Sequence, residues 1–278
     1  PAGRWQILRD SDVKIAAREM GLPVLQPEKL RDPEFLTALR ALQPDLGIVI
    51  AFRMLPEAVW ALPRLGTFNL HASLLPQYRG AAPINWALIN GETCTGVTTF
   101  LLNHEIDKGA ILAQRTEPIR PDDNAGTLYE RLMRIGAELV TQTVERIAAG
   151  DLQPVEQSPA GEETLCPAPK IFRENCEIDW SETGERIVNL VRGLAPYPAA
   201  WTTIRLDGEE IATIKIYEAH FEPGCGYGSC GTICSDGRSF LSVRCRDGAV
   251  GIESLQMAGK RRMQAREWLA GFRDPEQY

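Results

Sequence analysis

An amide and an imidazole lie two residues apart in the segment GTFNLH, as Asn69 and His71. Successive side chains of a strand point to opposite faces, so these two would leave the same face. If the strand ends at His71, both reach the crevice at the carboxyl edge of a sheet, where open α/β sheets bind ligands. An amide can donate to a carbonyl oxygen that gains negative charge, and an imidazole can move a proton near neutral pH. The pair therefore indicates chemistry at a carbonyl group.

A carboxylate that orients the imidazole is expected on a loop at the same edge. The segment NHEIDKGA, between two predicted strands, offers Glu105 and Asp107. An amide, an imidazole and a carboxylate without a serine or cysteine nucleophile indicate direct transfer of an acyl group to an external amine. The residues alone leave simpler interpretations open, because Asn69 and Asp107 can be turn residues and a single histidine can be structural.

The first half of the chain alternates helix and strand signals. Ser11 and Asp32 are predicted N-caps in SDVKIAAREMG and DPEFLTALRAL, and Thr127 with Glu130 predicts a capping box for a long helix that ends at Gly150. The apolar run DLGIVIAF predicts a strand covered on both faces, and GTFNLH, GVTTFLLN and GAILAQRTEPI predict further strands. Such alternation predicts an α/β fold with a Rossmann-like, mostly parallel sheet.

A proline-rich segment, DLQPVEQSPAGEETLCPAPK, predicts a linker after this half. One helix follows in SETGERIVNLVRG, with Ser181 as its predicted cap, and short strands come next. Hairpins are marked by Asp-Gly pairs at 207–208, 236–237 and 247–248. Several short antiparallel strands predict a small β-barrel. We therefore expect a catalytic domain with its linker at 1–168 and a C-terminal β domain at 169–278.

Charge is distributed unevenly along the 278 residues. The formal net charge of −7 argues against indiscriminate nucleic-acid binding. Residues 238–273 contain eight lysines or arginines and three acids, so this segment carries +5 and the remainder −12. The segment can therefore meet a polyanion, and a solvated surface of mixed charge is the alternative.

The seven cysteines are an odd number without paired spacing, which fits a reducing cytoplasm better than a disulfide framework. Cys225, Cys230, Cys234 and Cys245 lack the paired spacing of common structural zinc sites, so no metal is predicted. The longest apolar runs are too short to span a bilayer. We expect a cytoplasmic monomer that does not bind membranes.

Two long segments resemble the folate-dependent formyltransferases, most closely those members of the family that act on methionyl-tRNA. They are FNLHASLLPQYRGAAPINWALINGE and GVTTFLLNHEIDKGAIL, and the resemblance continues through APKI, EIDW, LAPYPAAW and LQMAGKRRM. It thus covers both halves of the chain. The resemblance implies that Asn69, His71 and Asp107 are catalytic and that the C-terminal domain is an OB-like barrel that contacts tRNA. The folate-pocket residues that it implies are Ser73, Leu74, Leu75 and Pro76.

The reaction implied by the resemblance is formyl transfer from 10-formyltetrahydrofolate to the α-amine of methionine on initiator tRNA, for translation initiation. Asn69 would stabilise the oxyanion and His71 would assist the proton transfers. Asp107 would hold His71 or pass a proton through water. The basic-turn residues that would contact tRNA phosphates are Lys260, Arg261 and Arg262.

Two features depart from the family pattern. The family begins with a strand, a glycine-bearing turn and a helix before the position of Pro1, and we expect this first βα unit in the natural protein although the 278 residues lack it. Many relatives also have a basic, glycine-rich loop after PAGR that reaches the tRNA, where this chain has WQILRD. Arg4 and Arg9 are retained, and Arg4 is predicted to contact tRNA, whereas Trp5 is an addition.

Two alternative functions remain open. One is formyl transfer to a small amine, such as a nucleotide amino sugar or glycinamide ribonucleotide. The C-terminal barrel argues against a single-domain glycinamide ribonucleotide enzyme, but less against sugar formyltransferases that have added domains. The other alternative is a non-catalytic RNA-binding protein, against which the joint presence of Asn69, His71 and Asp107 argues.

Overall fold

The computed structural model describes residues 10–50, 54–157, 164–206, 209–224 and 228–271. Its helices are α1 (Asp12–Glu19), α2 (Pro33–Ala41), α3 (Glu57–Trp60), α4 (Pro83–Ile89), α5 (Ala125–Ala149), α6 (Gly184–Leu194) and α7 (Ala265–Gly271). Its strands are β1 (Gly47–Ile50), β2 (Thr67–His71), β3 (Cys94–Leu101), β4 (Ile111–Pro118), β5 (Ala200–Leu206), β6 (Glu209–Pro223), β7 (Ile233–Ser235), β8 (Leu241–Cys245), β9 (Gly248–Met257) and β10 (Met263–Gln264).

The chain divides into two compact units. The first consists of the described residues of 1–47 and 52–67, and the second of those of 48–51 and 68–278. In the first unit, α1 and α2 begin at the predicted caps: Ser11 accepts a hydrogen bond from the Lys14 amide, and Asp32 accepts one from the Glu34 amide. Side-chain oxygens at these positions satisfy amides that a helix N-terminus leaves without a partner.

The second unit contains a sheet with the strand order β1-β2-β3-β4. β2 pairs with β3 and β3 with β4, both antiparallel. Only the nine residues 102–110 join β3 to β4, too few for the crossover that parallel strands require. The α/β class is thus confirmed, whereas the pairings of β2 with β3 and of β3 with β4 are antiparallel and not parallel as expected.

The burial of β1 differs from the expectation. Ile48 and Ile50 are 45% and 56% exposed, because β1 is an outer strand in the described part of the sheet. The prediction that both faces of this strand are covered is therefore wrong for the described residues.

Helix α5 packs against β3 and β4 through buried leucines, among them Leu128 and Leu132. Its predicted end at Gly150 is confirmed, with the glycine in the left-handed conformation (φ 71°). The predicted cap pair of Thr127 and Glu130 is wrong by one turn. Asn124 is the N-cap: its side chain accepts from the Thr127 amide at 3.1 Å, and the Thr127 hydroxyl accepts from the Asn124 amide at 3.0 Å. None of the described helices, α5 included, is both long and apolar enough to cross a membrane.

The C-terminal part of the second unit is an antiparallel sheet with the order β5-β6-β9-β8-β7, to which β10 adds beside β9. The predicted β class of this half is confirmed. Helix α6 packs on the sheet through buried Ile187 and Val191. Its N-cap is Thr183, not the predicted Ser181, whose amide and hydroxyl both donate to Asp179. The Asp-Gly pair at 207–208 lies outside the described residues.

Contacts between α4, α5 and α6 join the two sheets within the second unit. Asn85 of α4 donates to the Gly193 carbonyl at 2.7 Å, and Arg192 donates to the Asp123 carbonyl at 2.7 Å. Since both sheets belong to one compact unit, a domain boundary at 168/169 stays a prediction.

Candidate active site at the end of β2

β2 ends at His71, as predicted, and carries Asn69 on the same face. Asn69 lies opposite Phe100 on β3, and His71 opposite Thr98. His71 is only 7% exposed and meets the Phe100 ring edge-on, with centroids 6.5 Å apart and planes at 83°. The Asn69 side-chain oxygen is buried and has no hydrogen-bond partner among the described residues. Buried amide groups are normally satisfied, so this amide is available to a bound group.

The ring of His71 is held by a main-chain carbonyl. Its Nε2 lies 2.8 Å from the carbonyl oxygen of Tyr78. A carbonyl oxygen can only accept, so Nε2 carries a proton and donates it to this bond. In the neutral ring, Nδ1 is therefore the nitrogen with the free lone pair.

Tyr78 itself is fixed from three sides, although its φ of 59° is uncommon for a residue with a side chain. Its amide donates to the Cys166 carbonyl at 2.7 Å. Its buried phenol donates to Glu92 at 2.6 Å and accepts from Asn90 at 3.2 Å. Burial and the hydrogen bond to Glu92 raise the pKa of Tyr78, so the phenol stays protonated.

We expect neutral His71 to be the Nε2–H tautomer, because only that form satisfies the Tyr78 carbonyl. Long-range ¹H–¹⁵N correlation spectra report the tautomer of each of the three histidines. The His71 signal is identified by its loss in a His71→Gln variant. A neutral His71 ring protonated on Nδ1 would contradict the hydrogen bond seen here.

Asp107 lies on the loop between β3 and β4 in a left-handed conformation, with φ at 55°. Its Oδ2 accepts a hydrogen bond from the Gly80 amide at 2.9 Å. Gly80 has φ at 127°, and a Cβ there would lie 2.4 Å from the Ala168 carbonyl oxygen, so glycine is required. Glu105, the other candidate acid, is exposed and pairs with Lys108 at 3.0 Å.

His71 and Asp107 thus both form hydrogen bonds with one stretch of main chain, residues 78–80, which we call the 78–80 segment. His71 donates to its first residue and Asp107 accepts from its third. Within the described part of the chain, both side chains form hydrogen bonds with this segment, and no hydrogen bond joins them to each other. The structure therefore associates Asp107, and not Glu105, with His71.

The predicted folate loop is held rigidly from β3 and β4. Ser73 is fully buried, and its hydroxyl donates to the Gln77 carbonyl at 2.6 Å. Thr98 donates to the Ser73 carbonyl at 2.6 Å and accepts from the Leu75 amide at 3.2 Å. Gln114 donates to the Leu75 carbonyl at 2.8 Å. Leu74 is half-buried, and the bond between Leu75 and Pro76 is cis.

Sequence reasoning missed Thr98 and Gln114, which face each other across β3 and β4. A usable signal was present. Thr98 is a polar residue in the mostly apolar strand segment GVTTFLL, and a polar side chain that such a strand buries is normally hydrogen-bonded to a neighbouring group.

The residues predicted to contact tRNA differ in their exposure and in their partners within the protein. Arg4 lies outside the described residues. Lys260 is exposed, and Arg261 is exposed but pairs with Glu267 at 2.9 Å. Arg262 is used within the fold, as described next.

Arg262 donates to Ser254 at 2.7 Å and to Glu218 at 2.6 Å, and its guanidinium lies 4.6 Å from the centroid of the Tyr217 ring. These contacts tie the basic turn to β6 and β9. Arg262 is therefore less available to a phosphate than Lys260 and Arg261.

The cysteines that could suggest a metal are only partly described. Cys225 lies outside the described residues, Cys230 is exposed and Cys245 is buried. Among the described residues, no group of three or more histidines, cysteines or acids is arranged to hold a metal ion. The expectation of no metal stays a prediction.

Comparison with known proteins places this geometry in a family. A family model described as formyl transferase matches residues 1–144, more than half of the 278 residues. The chain belongs to the formyl transferase family. The model of the formyl transferase C-terminal domain matches residues 170–273, so both halves of this formyltransferase have counterparts in the family.

Curated relatives of this formyltransferase are similar over most of their length. The methionyl-tRNA formyltransferase of Parabacteroides distasonis is 53% identical over 282 aligned residues, which cover 100% of this chain and 87% of the relative. The methionyl-tRNA formyltransferase of Bacteroides fragilis is 51% identical, with 98% of this chain and 84% of the relative covered.

Solved structures share the fold at lower identity. HypX from Aquifex aeolicus in complex with tetrahydrofolic acid superposes with a TM-score of 0.62 at 24% identity, and the match covers 86% of this formyltransferase and 41% of HypX.

Proposed function

We propose that this formyltransferase transfers the formyl group of 10-formyltetrahydrofolate to the α-amine of methionyl-tRNA. The observation that carries the proposal is the 53% identity to a methionyl-tRNA formyltransferase across the whole chain. The arrangement of Asn69, His71 and the 78–80 segment provides the chemistry that such a transfer needs. The experiment that tests it is the conversion of methionyl-tRNA to formyl-methionyl-tRNA by the purified protein.

The described residues fit a bound formyl donor. The donor supplies an activated formyl group on a nitrogen leaving group. Asn69 has a buried side-chain oxygen without a partner among the described residues, beside a histidine whose proton position is fixed. The rigid loop that contains Ser73, Leu74, Leu75 and Pro76 provides the wall for the flat pterin.

Transfer requires one new carbon–nitrogen bond and the loss of another. The neutral amine of the acceptor attacks the formyl carbon, the bond from that carbon to the folate nitrogen breaks, and one proton passes from the amine to that nitrogen. Asn69 donates from its amide to the formyl oxygen as negative charge develops there. Its side-chain oxygen can accept an N–H of the incoming amine.

His71 is the proton carrier in this proposal. Because Nε2–H is committed to the Tyr78 carbonyl, Nδ1 accepts the proton from the amine. Asp107 acts through the 78–80 segment and through a water that its second oxygen can hold.

A groove in the second unit suits the single-stranded end of a tRNA. It has a volume of about 540 Å³ and is lined in part by Ala82, which directly precedes α4 and lies two residues beyond Gly80. Its aromatic wall contains Tyr197, which is 82% exposed, and Trp201, whose ring lies 5.1 Å from the Arg173 guanidinium. Aromatic rings stack on unpaired bases and adjacent cations neutralise phosphates, which a small amine substrate would not require.

We expect the double variant Lys260→Ala with Arg261→Ala to raise the KM for methionyl-tRNA and to leave the chemical step at saturation largely unchanged. Each phosphate contact that is lost should reduce the slope of log KM against log salt concentration by about one. Initial rates at several salt concentrations measure both effects. Arg262 is left in place because its contacts support the fold.

The control removes the same two charges from another exposed surface, as Lys29→Ala with Arg31→Ala. The control should leave the salt slope unchanged. If the Lys260 and Arg261 variant uses methionyl-tRNA like the wild type at every salt concentration, the basic turn does not contact tRNA.

One structural relative favours a second acceptor class. The N-formyltransferase from Helicobacter canadensis in complex with folinic acid and dTDP-3-aminofucose superposes with a TM-score of 0.53 at 23% identity, covering 66% of this chain and 64% of that chain. Formyl transfer to a nucleotide amino sugar is therefore the second candidate function. We further propose that the protein acts in the cytoplasm as a monomer.

A further inference from the structure

The segment after α5 was predicted to be a linker, but its described residues hold the loops of the candidate site. Val155 and Ile111 exchange two main-chain hydrogen bonds, at 2.7 and 2.8 Å. This bridge aligns residues 155–157 with the start of β4 and with the loop that carries Asp107. Gln157 lies at the end of this aligned stretch.

The side-chain amide of Gln157 is fully used in contacts with the site. Its nitrogen donates to the carbonyls of Asp107 at 2.9 Å and Gly109 at 2.8 Å. Its oxygen accepts from the guanidinium of Arg79, at 2.7 Å from Nη2 and 3.2 Å from Nε. Only an amide can donate twice and accept at the same position.

These bonds close a ring. Gln157 binds the backbone of Asp107, the Asp107 carboxylate binds the Gly80 amide, and Arg79, next to Gly80, binds Gln157 again. The left-handed φ of 55° at Asp107 is disfavoured for a residue with a side chain and persists only where its surroundings fix it. The Gln157 amide helps to fix this conformation by donating a hydrogen bond to the Asp107 carbonyl.

We propose that Gln157 is a positioning residue, which holds the Asp107 carboxylate on the 78–80 segment and thereby sets its relation to His71. The proposal rests on the proposed function for its kinetic consequences. Gln157 does not touch the reacting groups: it acts through the backbone of Asp107 and through Arg79. The proline-rich segment is thus part of the site as well as a connection.

The test compares Gln157→Met with Gln114→Met. Both replace a glutamine that donates to loop carbonyls by an apolar side chain of similar length, but Gln157 is half-buried, whereas Gln114 is exposed and holds the predicted folate loop. Gln157→Met should lower kcat about 10- to 100-fold, because small displacements of a positioned group cost that much. It should also change the shape of the pH profile of kcat and leave the KM for the folate donor near its wild-type value. Gln114→Met should raise that KM and preserve the profile.

A double-mutant cycle tests whether Gln157 acts through Asp107. In an Asp107→Asn background, Gln157→Met should lower kcat by much less than it does alone, because residues that act as a unit are not additive. Full additivity would overturn the proposal. Gln157→Glu keeps an acceptor for Arg79 and loses both donors, so it should also lower kcat, and wild-type kcat in this variant would refute the role of the donors.

Hydrogen exchange of the Gly80 amide provides a readout that does not depend on turnover. Protection of this amide should fall in Gln157→Met and persist in Gln114→Met, since only the former releases Asp107. Wild-type protection, kcat and pH profile in a folded Gln157→Met protein would overturn the proposal. If the wild type does not formylate methionyl-tRNA, the proposed function fails, while the exchange measurement still decides whether Gln157 holds Asp107.

Discussion

Asn69→Ala is expected to lower the turnover number for formyl transfer by about two orders of magnitude, the usual effect of losing one donor to a developing oxyanion. The buried side-chain oxygen of Asn69 has no partner among the described residues, so few contacts of the folded protein should be lost with it. The dissociation constant of the folate donor should change much less than the turnover number, because the donor meets the amide fully only in the transition state. Single-turnover rates with saturating donor measure the chemical step.

Thermal unfolding provides the control for this variant, since a truncation inside the sheet can also destabilise the protein. A folded Asn69→Ala protein that reacts at near-normal single-turnover rates would remove Asn69 from the mechanism. A large rise in the donor dissociation constant with an unchanged rate would instead assign Asn69 to binding.

Asp107→Asn is expected to lower the rate of the chemical step about 10²- to 10⁴-fold, the range of a lost acid–base contribution. The amide oxygen of asparagine can still accept from Gly80, so the loop should keep its shape while the negative charge is lost. The pH profile of the chemical step should change in shape as well as in height, because His71 no longer has a carboxylate on the segment that it shares.

Glu105→Gln is the matched control on the same loop. Glu105 is exposed and paired with Lys108, so its substitution should have little effect on rate or profile. If Glu105→Gln lowers the rate and Asp107→Asn does not, Glu105 is the carboxylate that acts with His71.

Local features of the fold were predictable because their physics is local. The caps at Ser11 and Asp32 and the helix end at Gly150 depend on neighbouring backbone groups alone. The start of α5 was misplaced because Asn124 and Thr127 are both good caps three residues apart. Which of them begins a helix is decided by packing that a single segment does not encode.

Prediction of the candidate site from the sequence was limited by a different cause, the contacts of its side chains with main-chain groups. Residue type and spacing identified Asn69 and His71 and left Glu105 and Asp107 as candidate acids, the family resemblance implied Asp107, and the structure brings His71 and Asp107 to one segment. Their partners are main-chain groups of Tyr78 and Gly80, and a backbone carbonyl or amide has no signature in a sequence. The role of Gln157 was hidden for the same reason, since it binds carbonyls from a segment whose composition is typical of a linker.

The most direct test of the account is a single-turnover reaction of the purified protein with 10-formyltetrahydrofolate and methionyl-tRNA, with a nucleotide amino sugar in a parallel reaction. Mass spectrometry of the aminoacyl group and absorbance of the released folate follow the two products. The account predicts formyl-methionyl-tRNA and tetrahydrofolate in equal amounts, together with no formylation of the sugar. Unmodified methionyl-tRNA beside a formylated amino sugar would contradict it.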